Sequence, residues 1–333
     1  MTQRLCRFLF SVLVLTILVV QLVPVVSAQT PVGAAHGTLT VRQLGDPGPL
    51  EIMDGDRPVL RYNYQVVQEP SEVKDRISEG NRKYAVGRSD YIHPLYGLNG
   101  EVLTDDWLLD HPHHRGIYWA WPEVDWQGQR GDLHALQLVL ARPTGKVRIE
   151  QGADFAQIEA ENEWRWQNRT PIVREQTILR AHRQVGHGRA IDLHFRFTAL
   201  DADVQVARRG QTLYGGLNVR LSAAQDQQIA TFTDPPTALP RRTWAHRSGI
   251  PRGSSAIVGL TILQSPLNPD YPGDWVQYPN LSWVQPTFPA SGTRYTITKD
   301  RPLDLWYRLW IHAGQLKPET LQDLWQAYQT ERL

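Results

Sequence analysis

Ile158–Trp166 reads IEAENEWRW, and its alternation decides the fold class. Ile158, Ala160, Trp164 and Trp166 fall on one side; Glu159, Glu161, Glu163 and Arg165 fall on the other. A period of two sends successive side chains to opposite faces of an extended chain, so the segment predicts a strand with one buried face. The three glutamates then read as its solvated side. Downstream, Ile191, Leu193, Phe195 and Phe197 oppose Asp192, His194 and Arg196, and Leu303, Leu305, Tyr307, Leu309 and Ile311 repeat the pattern. Upstream, His134, Leu136, Leu138 and Leu140 alternate in the same way. Antiparallel sheets that are wet on one side have this signature.

Other segments fit the same picture. Ala256–Leu263 (AIVGLTIL) is evenly apolar and predicts a central strand. Leu50–Tyr64 (LEIMDGDRPVLRYNY) predicts a hairpin turning at Asp54-Gly55, after a short strand at Thr38–Arg42. Gln68–Arg88 is polar and predicts a long exposed loop, of the kind that often carries function. One helix is expected, opening at Pro318 with Glu319 in its first turn and a stripe of Leu321, Leu324, Trp325 and Tyr328. With no sharp linker and no internal repeat, the chain reads as all-β: one large antiparallel β-sandwich over residues 29–333 with a C-terminal helix.

The N-terminus has a different plan. Arg4 and Arg7 precede the apolar run Phe8–Val20, Pro24 breaks it, and Val26-Ser27-Ala28 offers small residues to a signal peptidase. Residues 1–28 therefore read as a signal peptide, and the mature chain as periplasmic or secreted, with no stable membrane insertion after cleavage. The single cysteine, Cys6, lies inside that segment, so no disulfide or thiol site is expected beyond it. Net charge is +1 with scattered basic residues, which argues against nucleic acid as a partner. The 12 tryptophans suit either a β core or platforms that stack on sugars.

Asp110–Gly116 (DHPHHRG) is the segment that looks chemical. It packs three imidazoles and a guanidinium into five residues, a costly set to bury and an unusual one for plain surface. Imidazole moves protons near neutral pH. Arginine stabilises a developing oxyanion, and Asp110 can fix an imidazole's tautomer. Pro94 and Pro112 push His93 and His111 towards extended backbone. On a strand without a bulge, His111, His113 and Arg115 would point one way with Trp119 and Trp121, and His114 the other; Gly116 can host a bulge that changes this. The expected catalytic set is His93, His111, His113, His114, Arg115 and Glu175. Tyr91, Tyr118, Trp119, Trp121 and Trp275 are the expected substrate contacts. No cofactor is required; a divalent metal is the one possibility, with His111 and His113 as first candidates and His93, His134 or Glu175 as a third ligand. Trp275–Trp283 (WVQYPNLSW) reads as aromatic wall or core. His182, His187, His246 and His312 read as surface residues.

YIHPLYGLNGEVLT (Tyr91–Thr104) followed by DHPHHRGIYWAW (Asp110–Trp121) resembles a family of exported bacterial proteins labelled methane-oxygenase PmoA-like, also carried as a domain of unknown function. REQTILR (Arg174–Arg180), YGGLNVRLS (Tyr214–Ser222), QSPLNPDYPGDW (Gln264–Trp275) and LWYRLWIHAGQL (Leu305–Leu316) support it, from about Arg61 onward. A membrane-embedded subunit needs several spanning helices, and this sequence offers one N-terminal apolar run. The resemblance therefore implies an all-β sandwich of the galactose-mutarotase and polysaccharide-lyase kind and a link to carbohydrate breakdown. WAHRSG (Trp244–Gly249) departs from it, lacking an acidic and an aromatic residue after the tryptophan.

Three functions follow as expectations. The first is a carbohydrate-active enzyme of epimerase, mutarotase or lyase type, moving a proton on a small-molecule or oligosaccharide substrate. The second is a non-catalytic carbohydrate-binding protein. The third is a metal-dependent hydrolase or oxygenase.

Overall fold

The computed structural model describes residues 38–238 and 240–331; the expected signal peptide, residues 1–28, lies outside them. The protein is mostly β. Strands are numbered along the chain. The first sheet has the spatial order β1 (Leu39–Gln43), β2 (Leu50–Asp54), β3 (Arg57–Asn63), β4 (Tyr91–Leu95), β5 (Ile117–Ala120), β13 (Gly216–Val219), β18 (Trp283–Thr287), β17 (Asp274–Tyr278). The second runs β14 (Ala224–Phe232), β15 (Trp244–Pro251), β16 (Val258–Gln264), β20 (Leu303–Ala313), β11 (Gly188–Ala199), β10 (Thr170–His182), β9 (Phe155–Trp166), β8 (Val139–Gln151). A four-stranded third sheet joins β19 (Tyr295–Ile297), β12 (Val204–Ala207), β6 (Glu123–Trp126) and β7 (Gln129–Gly131). All named pairings are antiparallel, as the alternating segments predict.

The two large sheets face each other across one core. Ile158, Leu179, Leu193, Phe197 and Leu309 on the second sheet meet Leu60, Ile92, Trp119, Leu217 and Val284 on the first. Trp119 stacks on Trp121 at 4.6 Å between centroids, and the rings of Phe195 and Phe197 meet Trp119 edge-on at 4.9 and 5.1 Å. Edge-to-face contacts of this kind add to the burial of large rings. Trp119 and Trp121 are thus inter-sheet core, which corrects the expectation that they wall a substrate pocket. Tyr118, one residue away, points out of the opposite face.

The helix at the C-terminus, α3 (Pro318–Thr330), lays Leu321, Trp325 and Tyr328 on Trp244 and Leu263, on the outer side of the second sheet. The loop expected at Gln68–Arg88 contains two single-turn helices, α1 (Ser71–Lys74) and α2 (Glu79–Arg82), and buries Ile77 and Arg88. The strand expected across His134–Leu140 begins only at Val139. Before it, the Asp132 carboxylate accepts a hydrogen bond from the Ala135 N–H (2.8 Å) and folds the chain into a turn, the local option that makes Asp a turn residue. Leu136 and Leu138 then adopt positive φ, 55° and 68°.

Two other histidines expected at the surface are buried. His246 and His312 stack at 5.2 Å across Gly259. A Cβ at Gly259 would lie 2.1 Å from the His312 ring, so glycine makes the room. His187 is exposed, as expected.

Candidate functional site

The segment that carries the histidines is a turn, not a strand. The His114 N–H donates to the His111 carbonyl (2.9 Å), and Gly116 follows with φ of 65°. A side chain at Gly116 would strike the Ile92 carbonyl at 2.1 Å, because β4 passes close behind. The turn gathers all three imidazoles on one side. His114 stacks on His111 at 4.6 Å and meets His113 edge-on at 4.6 Å. The turn at Asp132–Gln137 adds His134, 4.7 Å from His113 and 5.3 Å from His114.

These rings line a cavity of about 260 Å³. Asn81 and Tyr84 come from the α2 region, Asp110 from the histidine turn, Arg209 and Tyr214 from the segment before β13, and Trp283 from β18. Tyr84 lies 5.0 Å from His113, Trp283 4.7 Å from His114, and Tyr214 5.2 Å from His134. Asn81 donates to the Asp110 carbonyl (3.1 Å), tying the long loop to the histidine turn. Arg209 reaches the pocket while paired with Asp132 at 2.7 Å. At the mouth, His111 Nδ1 lies 3.0 Å from the Asp110 carboxylate, and both side chains are partly exposed.

Electrostatics keep the deeper rings uncharged. Burial, reinforced by Arg88, His111 and Arg209, lowers the His113 pKa to about 3. Burial and the neighbouring imidazoles push His114 and His134 far below the ordinary histidine value. A neutral imidazole offers a lone pair, as a base or a metal ligand must. The Nδ1 atoms of His113 and His114 are buried with no partner among the described residues. His134 is oriented by Tyr118, whose hydroxyl lies 3.1 Å from Nδ1. One nitrogen from each of His113, His114 and His134 falls within 4.8 Å of the others. The first metal candidates, His111 and His113, are therefore redistributed: His113 joins His114 and His134, while His111 sides with Asp110.

The sheet face behind the pocket is polar. Pairing of Gly216 with Thr287 and of Arg220 with Trp283 sets Asn218 beside Gln285, and Asn218 also pairs with Tyr118. Asn218 and Gln285 are wholly buried, and neither end of either amide has a hydrogen-bond partner among the described residues. Their sequence neighbours Leu217, Val219 and Val284 enter the core on the other side.

Five more expected residues lie elsewhere. Arg115 turns away from the pocket: it pairs with Asp106, donates to the Tyr91 hydroxyl (2.6 Å) and lies 3.6 Å over the Trp107 ring. Tyr91 is therefore Arg115's partner, not a pocket wall. His93, hydrogen-bonded to Thr104 Oγ1 at 3.0 Å, lines a separate hollow with Asp105, Asp106 and Arg252. That hollow shares no lining residue with the pocket of the group it was expected to join.

Glu175 is fully buried between the sheets, accepting from Trp164 Nε1 (2.7 Å) and Thr177 Oγ1 (3.3 Å). Burial, and then the charge of Asp90, raise its pKa well above the carboxylate range. Trp275 lies on edge strand β17 and donates to the Arg242 carbonyl at 3.0 Å. Arg209, Tyr214, Tyr84 and Asn81 were not expected from sequence; the polarity of Gln68–Arg88 was the only signal for the last two.

A model for a family described as "Family of unknown function (DUF6807)" matches residues 49–326. No curated protein matches. Among solved structures, a putative kojibiose phosphorylase from the human microbiome superposes with a TM-score of 0.31 at 10% identity, over 64% of this chain and 25% of that one. The chain thus spans about a quarter of that protein's length.

Proposed function

The chain belongs to DUF6807, a family of unknown function, and from its histidine pocket we propose that it is a carbohydrate-active enzyme exported to the periplasm or beyond. Export rests on the tripartite N-terminus; N-terminal sequencing of exported protein should begin at or near Gln29, and a chain still carrying Phe8–Val20 would refute it.

The observation that carries the enzymatic reading is the meeting, in one cavity, of a histidine–carboxylate pair with aromatic walls and a guanidinium. His111, its Nδ1 3.0 Å from the Asp110 carboxylate, is the group placed to exchange a proton with a bound hydroxyl or carbon acid. Tyr84, Tyr214 and Trp283 offer rings for the apolar face of a sugar. Arg209 offers charged donors to a hydroxyl, keto or carboxylate oxygen. The imidazoles, Asn81, Asp110 and Arg209 that line the pocket favour a ligand rich in hydroxyls over an apolar one.

The test is a thermal-shift and turnover screen against mono- and oligosaccharides, their keto and uronic forms included. With a ligand in hand, His111→Ala should lose about 10²-fold or more in turnover while binding is largely kept, and Trp283→Ala should weaken binding. Full turnover in His111→Ala would remove the proton-transfer role. Binding without turnover in the unaltered protein would make it a sugar-binding module.

A further inference from the structure

We propose that His113, His114 and His134 hold a divalent transition-metal ion, zinc or a close analogue, at the floor of this pocket. This deepens the preceding reading by assigning the floor its ligand, and the two fail separately, as the tests below show.

Three features on separate elements point to an ion. The first is convergence: one nitrogen from each ring lies within 4.8 Å of the other two, although His113 and His114 are on one turn and His134 on another. Zinc–nitrogen bonds of about 2.0–2.1 Å place tetrahedral ligand atoms roughly 3.3 Å apart, so the site closes by small movements of the rings. The second is that two of these rings carry a buried nitrogen with no other partner. Nδ1 of His113 and of His114 is buried and unpartnered among the described residues. The third is a supporting contact: the Tyr118 hydroxyl holds His134 Nδ1 at 3.1 Å, which fixes the ring and leaves Nε2 for an ion. An oxygen on the far nitrogen is the usual partner of a metal-bound imidazole.

The chemistry of the site selects the ion. Its donors are all imidazole nitrogens, and two cations stand close by. Arg209 is paired with Asp132, and Arg88 donates to the carbonyls of Leu133 (3.1 Å) and His134 (2.5 Å). Nitrogen donors do not suit magnesium or calcium, which require oxygen ligands; they suit zinc, cobalt, nickel or copper. Three protein ligands facing a cavity leave a position open to water or a substrate oxygen, the pattern of catalytic zinc sites.

The experiment uses the full chain, stripped with chelator, and adds zinc sulfate or cobalt chloride alone. Calorimetry should give one ion per chain, and cobalt should produce the visible bands of a nitrogen-bound tetrahedral ion. His113→Ala, the least buried ligand, and His134→Ala should each lower affinity by more than about 100-fold, and Tyr118→Phe by about tenfold. His187→Ala, at an exposed position, should bind as the unaltered chain does. Circular dichroism of each variant separates loss of the ion from loss of the fold. No stoichiometric zinc or cobalt binding, or equal binding by correctly folded His113→Ala, would overturn the proposal. Turnover of a sugar by protein that binds neither zinc nor cobalt would overturn it while leaving the enzymatic reading in place. Ion binding with no sugar bound would do the reverse.

Discussion

Gly116 shows how much of the pocket depends on one backbone position. Its φ of 65° and the 2.1 Å approach of the Ile92 carbonyl exclude a side chain. Gly116→Ala should cost about 2 kcal/mol or more and displace the histidines; an unchanged urea midpoint would show that the turn is held by something else. Glu175 is a second such residue, though it serves the core. Its pKa is raised in the folded chain above the unfolded value, so the folded state holds the proton more tightly. That contribution is complete below the unfolded pKa and is lost as pH rises through the folded one. Glu175→Gln keeps an acceptor for Trp164 and cannot ionise. Its thermal midpoint should therefore gain on that of the unaltered protein as pH rises above about 5; parallel curves across neutral pH would mean that Glu175 is not protonated in the fold. The sequence revealed that Glu175 stands on the less charged side of its strand. It could not reveal Asp90, 85 positions earlier, as its neighbour.

The elements were legible wherever one face meets water and the other oil. The long strands β9, β11 and β20 and helix α3 follow directly from period-two and helical patterns. Trp325 is 2% exposed and central to the contact of α3 with Trp244 and Leu263. Trp325→Ala should cost about 3–5 kcal/mol, read as a fall in the denaturation midpoint; a loss under 1 kcal/mol would mean that the helix is a loose cover. The pattern misled where a hydrogen bond overrode it. At His134–Leu140 the Asp132 carboxylate captured the Ala135 N–H, and the strand begins only at Val139, leaving Leu136 and Leu138 outside it. At His111–Arg115 an assumed strand sent Arg115 into the pocket and His114 out of it. The observed turn does the opposite with both. The histidine segment was thus recognised as chemical, but its geometry depended on backbone bends that periodicity does not register.

At the scale of the molecule, the buried imidazoles make stability depend on acidity. His246 and His312 lie apart from the pocket on the outer side of the second sheet. Burial lowers both pKa values, that of His246 to about 3. A lowered histidine pKa means that the unfolded chain binds protons first. Stability is therefore full above about pH 6.5 and falls as pH drops towards about 3. Unfolding measured across that range should show the decline, on the order of a few kcal/mol, and it should shrink in His246→Gln. A flat profile would place these rings in water. The same sheet architecture has a consequence for sequence change. In β5 and β13, pocket and core are separated by a single step: Tyr118 and Asn218 look one way, Trp119, Leu217 and Val219 the other. Inserting or deleting one residue there would turn each strand inside out, driving tryptophan into the pocket and amides into the core. Insertional scanning should find both strands intolerant of any change in length, while the exposed stretch Ser71–Arg76 accepts extra residues. New specificities are then reached by lengthening loops over a fixed wall.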